Sequence, residues 1–109
     1  MVYWITGRRH SGKTTLAHKL AKQIKGGVVL DGDEFRQMFP EDFTKMGRFR
    51  NQKRMAQMAQ LLQKQGLTPI IACVSPDRNM RRCLQAIIGN CIEIQLPFGE
   101  LWEGTQYEE

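Results

Sequence analysis

A three-layer α/β domain, with a small parallel sheet of about four strands flanked by helices, is what the sequence predicts, on three observations. Four short apolar runs, Val2 to Thr6, Val28 to Asp31, Pro69 to Val74 and Ile92 to Leu96, show little alternation, as strands covered on both faces do. Segments of helical periodicity alternate with them, which is the order of a parallel sheet. The first run leads straight into Gly7-Arg8-Arg9-His10-Ser11-Gly12-Lys13-Thr14, a Gly-rich loop that ends in Gly-Lys-Thr and opens a helical pattern. That placement makes the domain P-loop NTPase-like and the loop a nucleotide site.

Each element has its own justification. The first helix carries Leu16, Leu20 and Ile24 on one stripe with Ala17 and Ala21 beside it, turns Lys19, Lys22 and Lys25 outward, and stops at Gly26-Gly27. A short helical piece follows Asp33. The longest helix is predicted from about Arg48 to Gln65, with Met55, Met58, Ala59 and Leu62 buried and Gly66 as its stop. Another spans about Asp77 to Ile88 and ends at Gly89-Asn90. Arg48 and Asn51 share the stripe of Met55 and Met58, and Arg81 lies in line with Leu84 and Ile88, so the core-facing sides turn polar in the opening turns. Helices that run opposite to the strands start at the carboxyl edge of the sheet, where ligands bind. These polar residues are therefore expected to line a pocket.

Composition narrows the function. The 109 residues read as a single minimal kinase-sized domain, 1–109, without repeats or linkers, and fall below the usual size of a complete P-loop enzyme. The net charge of +5 suits anionic ligands, but the basic residues are spread without interleaved aromatics, which favours small phosphorylated molecules over nucleic acid. Three cysteines, an odd number with no CxxC pair, argue against a disulfide framework or a zinc site. No apolar stretch is long enough for a bilayer, and the first strand begins directly after Met1 without a leader, so the expected location is cytoplasmic with no membrane partner.

The loop assigns chemistry residue by residue. Gly7 and Gly12 let successive backbone N–H groups converge on phosphate oxygens at the positive end of the helix. Arg8, Arg9, His10, Ser11 and Thr15 complete the ATP-binding segment, with Arg8 to His10 as its basic tip. Lys13 is placed to reach the β- and γ-phosphates, and the Thr14 hydroxyl to ligate Mg²⁺. At the end of the second strand stands Asp31-Gly32-Asp33-Glu34-Phe35-Arg36, whose carboxylates can organise Mg²⁺ and accept a proton from an attacking hydroxyl. Asp33 is the candidate base, and Asp31 joins Thr14 on the metal side.

With these residues in place the sequence resembles the adenylylsulfate (APS) kinase family, which passes the ATP γ-phosphate to the 3′-hydroxyl of adenosine 5′-phosphosulfate. The family's Asp-Gly-Asp-x-x-Arg is similar to Asp31 to Arg36, and its Phe, Arg and Asn around the second nucleotide are similar to Phe43, Arg48 and Asn51. Its Ile-Ser-Pro followed by two arginines resembles Val74-Ser75-Pro76 with Arg78 and Arg81. The resemblance implies that Asp33 is the base, that Arg36 and Arg48 bind the phosphosulfate, that Phe43 stacks on adenine, and that Asn51, Val74, Ser75 and Pro76 belong to the same substrate site.

Beyond the fourth strand the chain departs from the family. The family's arginine-bearing helix, its basic mobile lid and its fifth strand have no counterpart, and Leu96-Pro97 passes straight to Phe98-Gly99-Glu100-Leu101-Trp102. That ending is similar to a later stretch of the family, with Trp102 where a Phe covers the substrate adenine. The expected activity is thus ATP- and Mg²⁺-dependent phosphorylation of APS to PAPS in sulfate activation, by a shortened form lacking the lid, with a homodimer allowed. The alternatives are a kinase for another small nucleoside, nucleotide or hydroxyl substrate, and a nucleotide-binding module with impaired catalysis.

Overall fold

A computed structural model describes residues 1–8 and 11–97. Strand β1 (Val2–Gly7) lies between β3 (Thr68–Ala72) and β4 (Cys91–Leu96), and β2 (Gly27–Asp31) pairs with the far side of β3. The order β2-β3-β1-β4 is parallel throughout, with Tyr3 opposite both Ile70 and Ile92. The predicted α/β class and strand number therefore hold.

Alternate strand residues face opposite layers. Val2, Trp4, Leu30, Ile71 and Cys73 point toward α2 (Gly32–Met38), α3 (Lys45–Lys64) and α4 (Arg78–Ile88), and join Phe35, Met55, Ala56, Ala59, Met80 and Leu84 in one core. Ile5, Ile70 and Ala72 face α1 (Lys13–Gln23), where Ala17 is buried and Leu16, Leu20 and Ile24 are half-buried. Eleven buried residues on the first face against four on the second, among those described, put most of the hydrophobic stabilisation on the three-helix side.

Two boundaries and one buried position differ from expectation, each for a local reason. Helix α3 begins at Lys45 rather than Arg48, because Thr44 caps it: the Gly47 N–H donates to the Thr44 hydroxyl at 3.1 Å. Strand β3 ends at Ala72, and Cys73 and Val74 leave the sheet toward a turn at Ser75, whose φ of 44° is left-handed. Met58, expected in the core, is 38% exposed. At 3.6 residues per turn it sits about 60° from Met55, on the side away from Ala56. The buried stripe is instead Asn51, Gln52, Met55, Ala56 and Ala59.

The start of α4 follows the same capping logic. Asp77 accepts the Met80 N–H at 3.1 Å and pairs with Lys45 at 3.4 Å. The hydrogen bond from Met80 and the Lys45 charge hold its carboxyl below the usual range.

The loop before α3 packs directly on Gly47. Glu41 receives Arg50 Nε at 3.0 Å and Arg54 at 2.8 Å, while Asp42 accepts the Thr44 N–H and hydroxyl. A β-carbon at Gly47 would run into both the side chain and the carbonyl of Asp42. Gly47→Ala gains up to about 1 kcal/mol of helix propensity but meets overpacking of up to about 3 kcal/mol. A net loss of about 2 kcal/mol is expected in urea denaturation; an unchanged midpoint would show that the loop yields freely.

Candidate active site

The P-loop leaves β1 at Gly7 and delivers its chain to the first turn of α1 at the carboxyl edge of the sheet. Gly12 makes the entry, with φ 93° and ψ 16°, a left-handed conformation that a side chain would strain. Its carbonyl receives the Leu16 N–H at 3.0 Å, so the helix starts immediately. Lys13 folds back along the loop, where its ammonium donates to the Arg8 carbonyl at 2.7 Å and approaches Ser11 Oγ at 3.4 Å.

Facing it, Asp31 closes β2 with both oxygens engaged. Oδ1 accepts the Asp33 N–H at 2.8 Å and caps α2, and Oδ2 accepts the Thr14 hydroxyl at 2.7 Å. Asp31 is 8% exposed, and these two bonds offset its desolvation. Asp33 gives its backbone N–H to that cap, while its own side chain stands exposed on the cleft wall.

The cleft between these elements has a volume of about 340 Å³ and is lined by Gly12 to Thr15, Asp31 to Asp33, Arg36, Phe43, and Ala72 to Val74. Arg36 lies with its guanidinium carbon 4.3 Å from the Phe43 ring centroid. Burial lowers the Arg36 pKa from its ordinary value, against the pull of the Asp33 charge. One end of the cleft is thus an oxygen-rich floor and the other a cation stacked on an aromatic ring.

The structure sorts the predicted residues. Lys13, Thr14, Thr15, Asp31, Asp33, Arg36, Phe43 and Val74 line one cleft. Arg48, Asn51, Ser75, Pro76 and Arg81 are not among its lining residues, and Asn51, Ser75 and Arg81 are buried. Arg48 donates to the Phe43 carbonyl at 2.6 Å, and buried Asn51 donates to the Gly32 carbonyl at 3.3 Å. Helix α3 starts a turn earlier than expected, so these residues meet the loop and α2 instead of open space. Arg9, His10 and Trp102 lie outside the described residues.

Sequence reasoning missed Ala72 and Cys73 as lining residues, although their position at a strand's carboxyl end was a usable signal. Burial pushes the Cys73 thiol up to about 11, which keeps it a protonated wall group. All three cysteines are free. Among the described residues no group of three or more His, Cys, Asp or Glu could hold a metal, so no all-protein cage exists there.

Comparison with known proteins decides the kinship. The sequence model of the family described as Adenylylsulphate kinase matches residues 1–105. The chain belongs to the adenylylsulphate kinase family. It is 38% identical over 94 residues to the adenylyl-sulfate kinase of Paraburkholderia xenovorans, covering 81% of this chain and 52% of that protein. It is 38% identical over 115 residues to the probable adenylyl-sulfate kinase of Aeropyrum pernix, covering 100% of this chain and 61% of that one. It therefore spans between half and about three fifths of the length of these relatives.

Among solved structures of the family, the Mycobacterium tuberculosis APS kinase CysC in complex with AMPPNP and APS matches with a TM-score of 0.77 at 28% identity, over 87% of this chain and 61% of that one. A hexameric APS kinase from Thiobacillus denitrificans matches with a TM-score of 0.76 at 33% identity, over 86% of this chain and 21% of that one.

Hydrogen bonding gives the two neighbouring aspartates different structural weights. Asp31→Ala removes a helix cap worth about 1 kcal/mol and a hydrogen bond worth about 1 kcal/mol, so urea unfolding should show a loss of about 2 kcal/mol. Asp33→Ala, at an exposed position, should stay within about 0.5 kcal/mol of wild type. Equal losses would mean that Asp33 is also a structural residue.

Proposed function

We infer that the chain transfers the γ-phosphate of ATP to the 3′-hydroxyl of adenosine 5′-phosphosulfate, giving PAPS and ADP, as a step of sulfate activation. The observation that carries this reading is the single cleft in which the Lys13–Thr14 helix terminus faces Asp31 and Asp33 at one end and the Arg36–Phe43 stack at the other. Family membership and the likeness to an APS kinase solved with AMPPNP and APS support it.

In this reading the loop from Gly7 to Thr15 cradles the ATP phosphates with backbone N–H groups, and the Lys13 ammonium exchanges the Arg8 carbonyl for phosphate oxygens. Thr14 and Asp31 supply hard oxygen donors that already converge, which suits Mg²⁺ held by one carboxylate, a hydroxyl and substrate phosphates. Bound there, Mg²⁺ neutralises charge on the phosphates.

Asp33 accepts the proton of the 3′-hydroxyl as its oxygen attacks the γ-phosphorus and the bond to ADP breaks. Arg36 meets the anionic phosphosulfate with a cation whose desolvation strengthens the pairing. Phe43 offers its ring to adenine, and Arg48, Asn51, Val74, Ser75, Pro76 and Trp102 complete the substrate site.

The same reading makes residues 1–109 one minimal kinase domain with small-molecule partners, located in the cytoplasm and able to form a homodimer. Among the described residues no helix is long and apolar enough to cross a membrane.

A coupled phosphotransfer assay with ATP and Mg²⁺, run across APS and a panel of nucleosides, tests the assignment; turnover confined to another acceptor would replace APS as the substrate. Lys13→Ala should abolish transfer and weaken ATP binding, because the developing γ-phosphate charge loses its side-chain counter-ion. Near-normal turnover in that variant would overturn the P-loop role. Asp33→Asn should lower kcat by about 10²-fold or more with ATP affinity nearly intact. A change confined to Mg²⁺ affinity would make Asp33 a metal organiser and Asp31 the base.

A further inference from the structure

Cys73 and Val74 line the cleft just past the end of β3, where one last sheet-like bond, from the Cys73 N–H to the Ile5 carbonyl at 3.2 Å, precedes irregular backbone. Beyond that bond the segment is fixed by side chains that converge on Val74 and Ser75. Ser75 is 2% exposed and sits at φ 44°, a conformation that costs a non-glycine residue about 1 kcal/mol or more and persists only where its surroundings enforce it. The Thr6 hydroxyl donates to the Val74 carbonyl at 2.7 Å, and the Trp4 indole N–H donates to Ser75 Oγ at 3.3 Å. Cys73 Sγ lies 2.7 Å from the same oxygen.

The strongest member of this set comes from α4. Arg81, 1% exposed at its side chain, donates to the Ser75 carbonyl at 2.7 Å, and its Nε lies 3.4 Å from Glu93 Oε1 on β4. Burial works to raise the Glu93 carboxyl, but hydrogen bonds from Gln85 and Gln95 and the Arg81 charge outweigh it and hold the group below its ordinary value. A buried guanidinium is expensive to desolvate, and an apolar side chain of similar volume would pack α4 against the sheet at least as well. What the charge adds is a strong, directed donor to one carbonyl.

We propose that Arg81 is a positioning residue for the acceptor side of the cleft: from behind the wall it holds the Ser75 carbonyl, so that Cys73 and Val74 stand at the cleft surface, with Glu93 as its counter-ion. The proposal deepens the phosphotransfer reading and rests on it only for its kinetic part. Arg81 is itself buried, and it acts on the cleft through the turn.

The test uses the full chain carrying Arg81→Met together with Glu93→Gln, which leaves no half-buried carboxylate without its counter-ion, and a second variant, Arg81→Lys. Three readouts are taken: the ¹⁵N-indole resonance of Trp4, assigned with Trp4→Phe; the rate at which iodoacetamide labels Cys73 against half-buried Cys91, followed by mass spectrometry; and the KM values for APS and ATP. The double variant should move the Trp4 resonance and label Cys73 about tenfold faster or more with Cys91 unchanged, as local opening of the turn requires. Its KM for APS should rise about tenfold or more, the scale of a lost charged hydrogen bond, with kcat and the KM for ATP within about twofold. Arg81→Lys, which keeps a cation in place, should recover part of each effect and carries the same readouts if the double variant does not fold.

An unmoved Trp4 resonance with unchanged Cys73 labelling would overturn the proposal, and so would Cys73 and Cys91 labelling that rise together, the mark of general loosening. A wild-type chain that transfers nothing to APS would remove the functional reading alone. The indole and labelling results would still decide whether Arg81 holds the turn.

Discussion

Asp31 joins three elements through one carboxylate. One oxygen starts α2 by accepting the Asp33 N–H, and the other tethers the opening turn of α1 by accepting the Thr14 hydroxyl. Because Asp31 is the last residue of β2, the P-loop helix, the second strand and the second helix are locked at one corner of the sheet. The cleft exists at that corner. Its acidic floor and its phosphate-facing helix terminus are two consequences of the same pair of hydrogen bonds, so the architecture that organises the fold also sets the distance between the groups proposed to act on phosphate.

The two faces of the sheet are unequally covered, and the inequality is useful. Three helices seal the face that holds Trp4, Ile71 and Met55, giving a rigid support of fully buried side chains. Among the described residues the other face has only α1, whose leucines are half-buried. Among the described residues, the helix that carries Lys13 and Thr14 is held by a small apolar seam and by the Thr14–Asp31 bond.

The cleft is shaped as much by residues behind it as by those on it. Arg48 fixes the Phe43 carbonyl, Asn51 fixes the Gly32 carbonyl, and Arg81 fixes the Ser75 carbonyl. In each case a polar side chain from a helix reaches a backbone oxygen in a neighbouring segment, at the loop before α3, the first residue of α2 and the turn at Ser75. Glu41 does the complementary work from the loop, binding Arg50 and Arg54 on α3. Such contacts convert irregular backbone into a defined wall, which is what placing a reactive group to within an ångström requires.

The class of fold, the four strands and the floor of the cleft were legible in the sequence, because each rests on local chemistry. Short unalternated apolar runs make buried parallel strands, Gly12-Lys13-Thr14 makes a phosphate-facing helix start wherever it follows a strand, and Asp31 and Asp33 lie two residues apart at a strand end. Tertiary structure alone decided where the polar stripe of α3 and α4 points. Arg48, Asn51 and Arg81 lie on the face that periodicity assigns them, yet that face meets the loop at Phe43, the start of α2 and the turn at Ser75 rather than open cleft. Periodicity fixes the direction of a side chain about its own helix axis and carries no information on what a distant segment places there. That depends on the cap at Thr44, the bond pattern of Glu41 and the left-handed turn at Ser75, each set by contacts between residues that packing brings together.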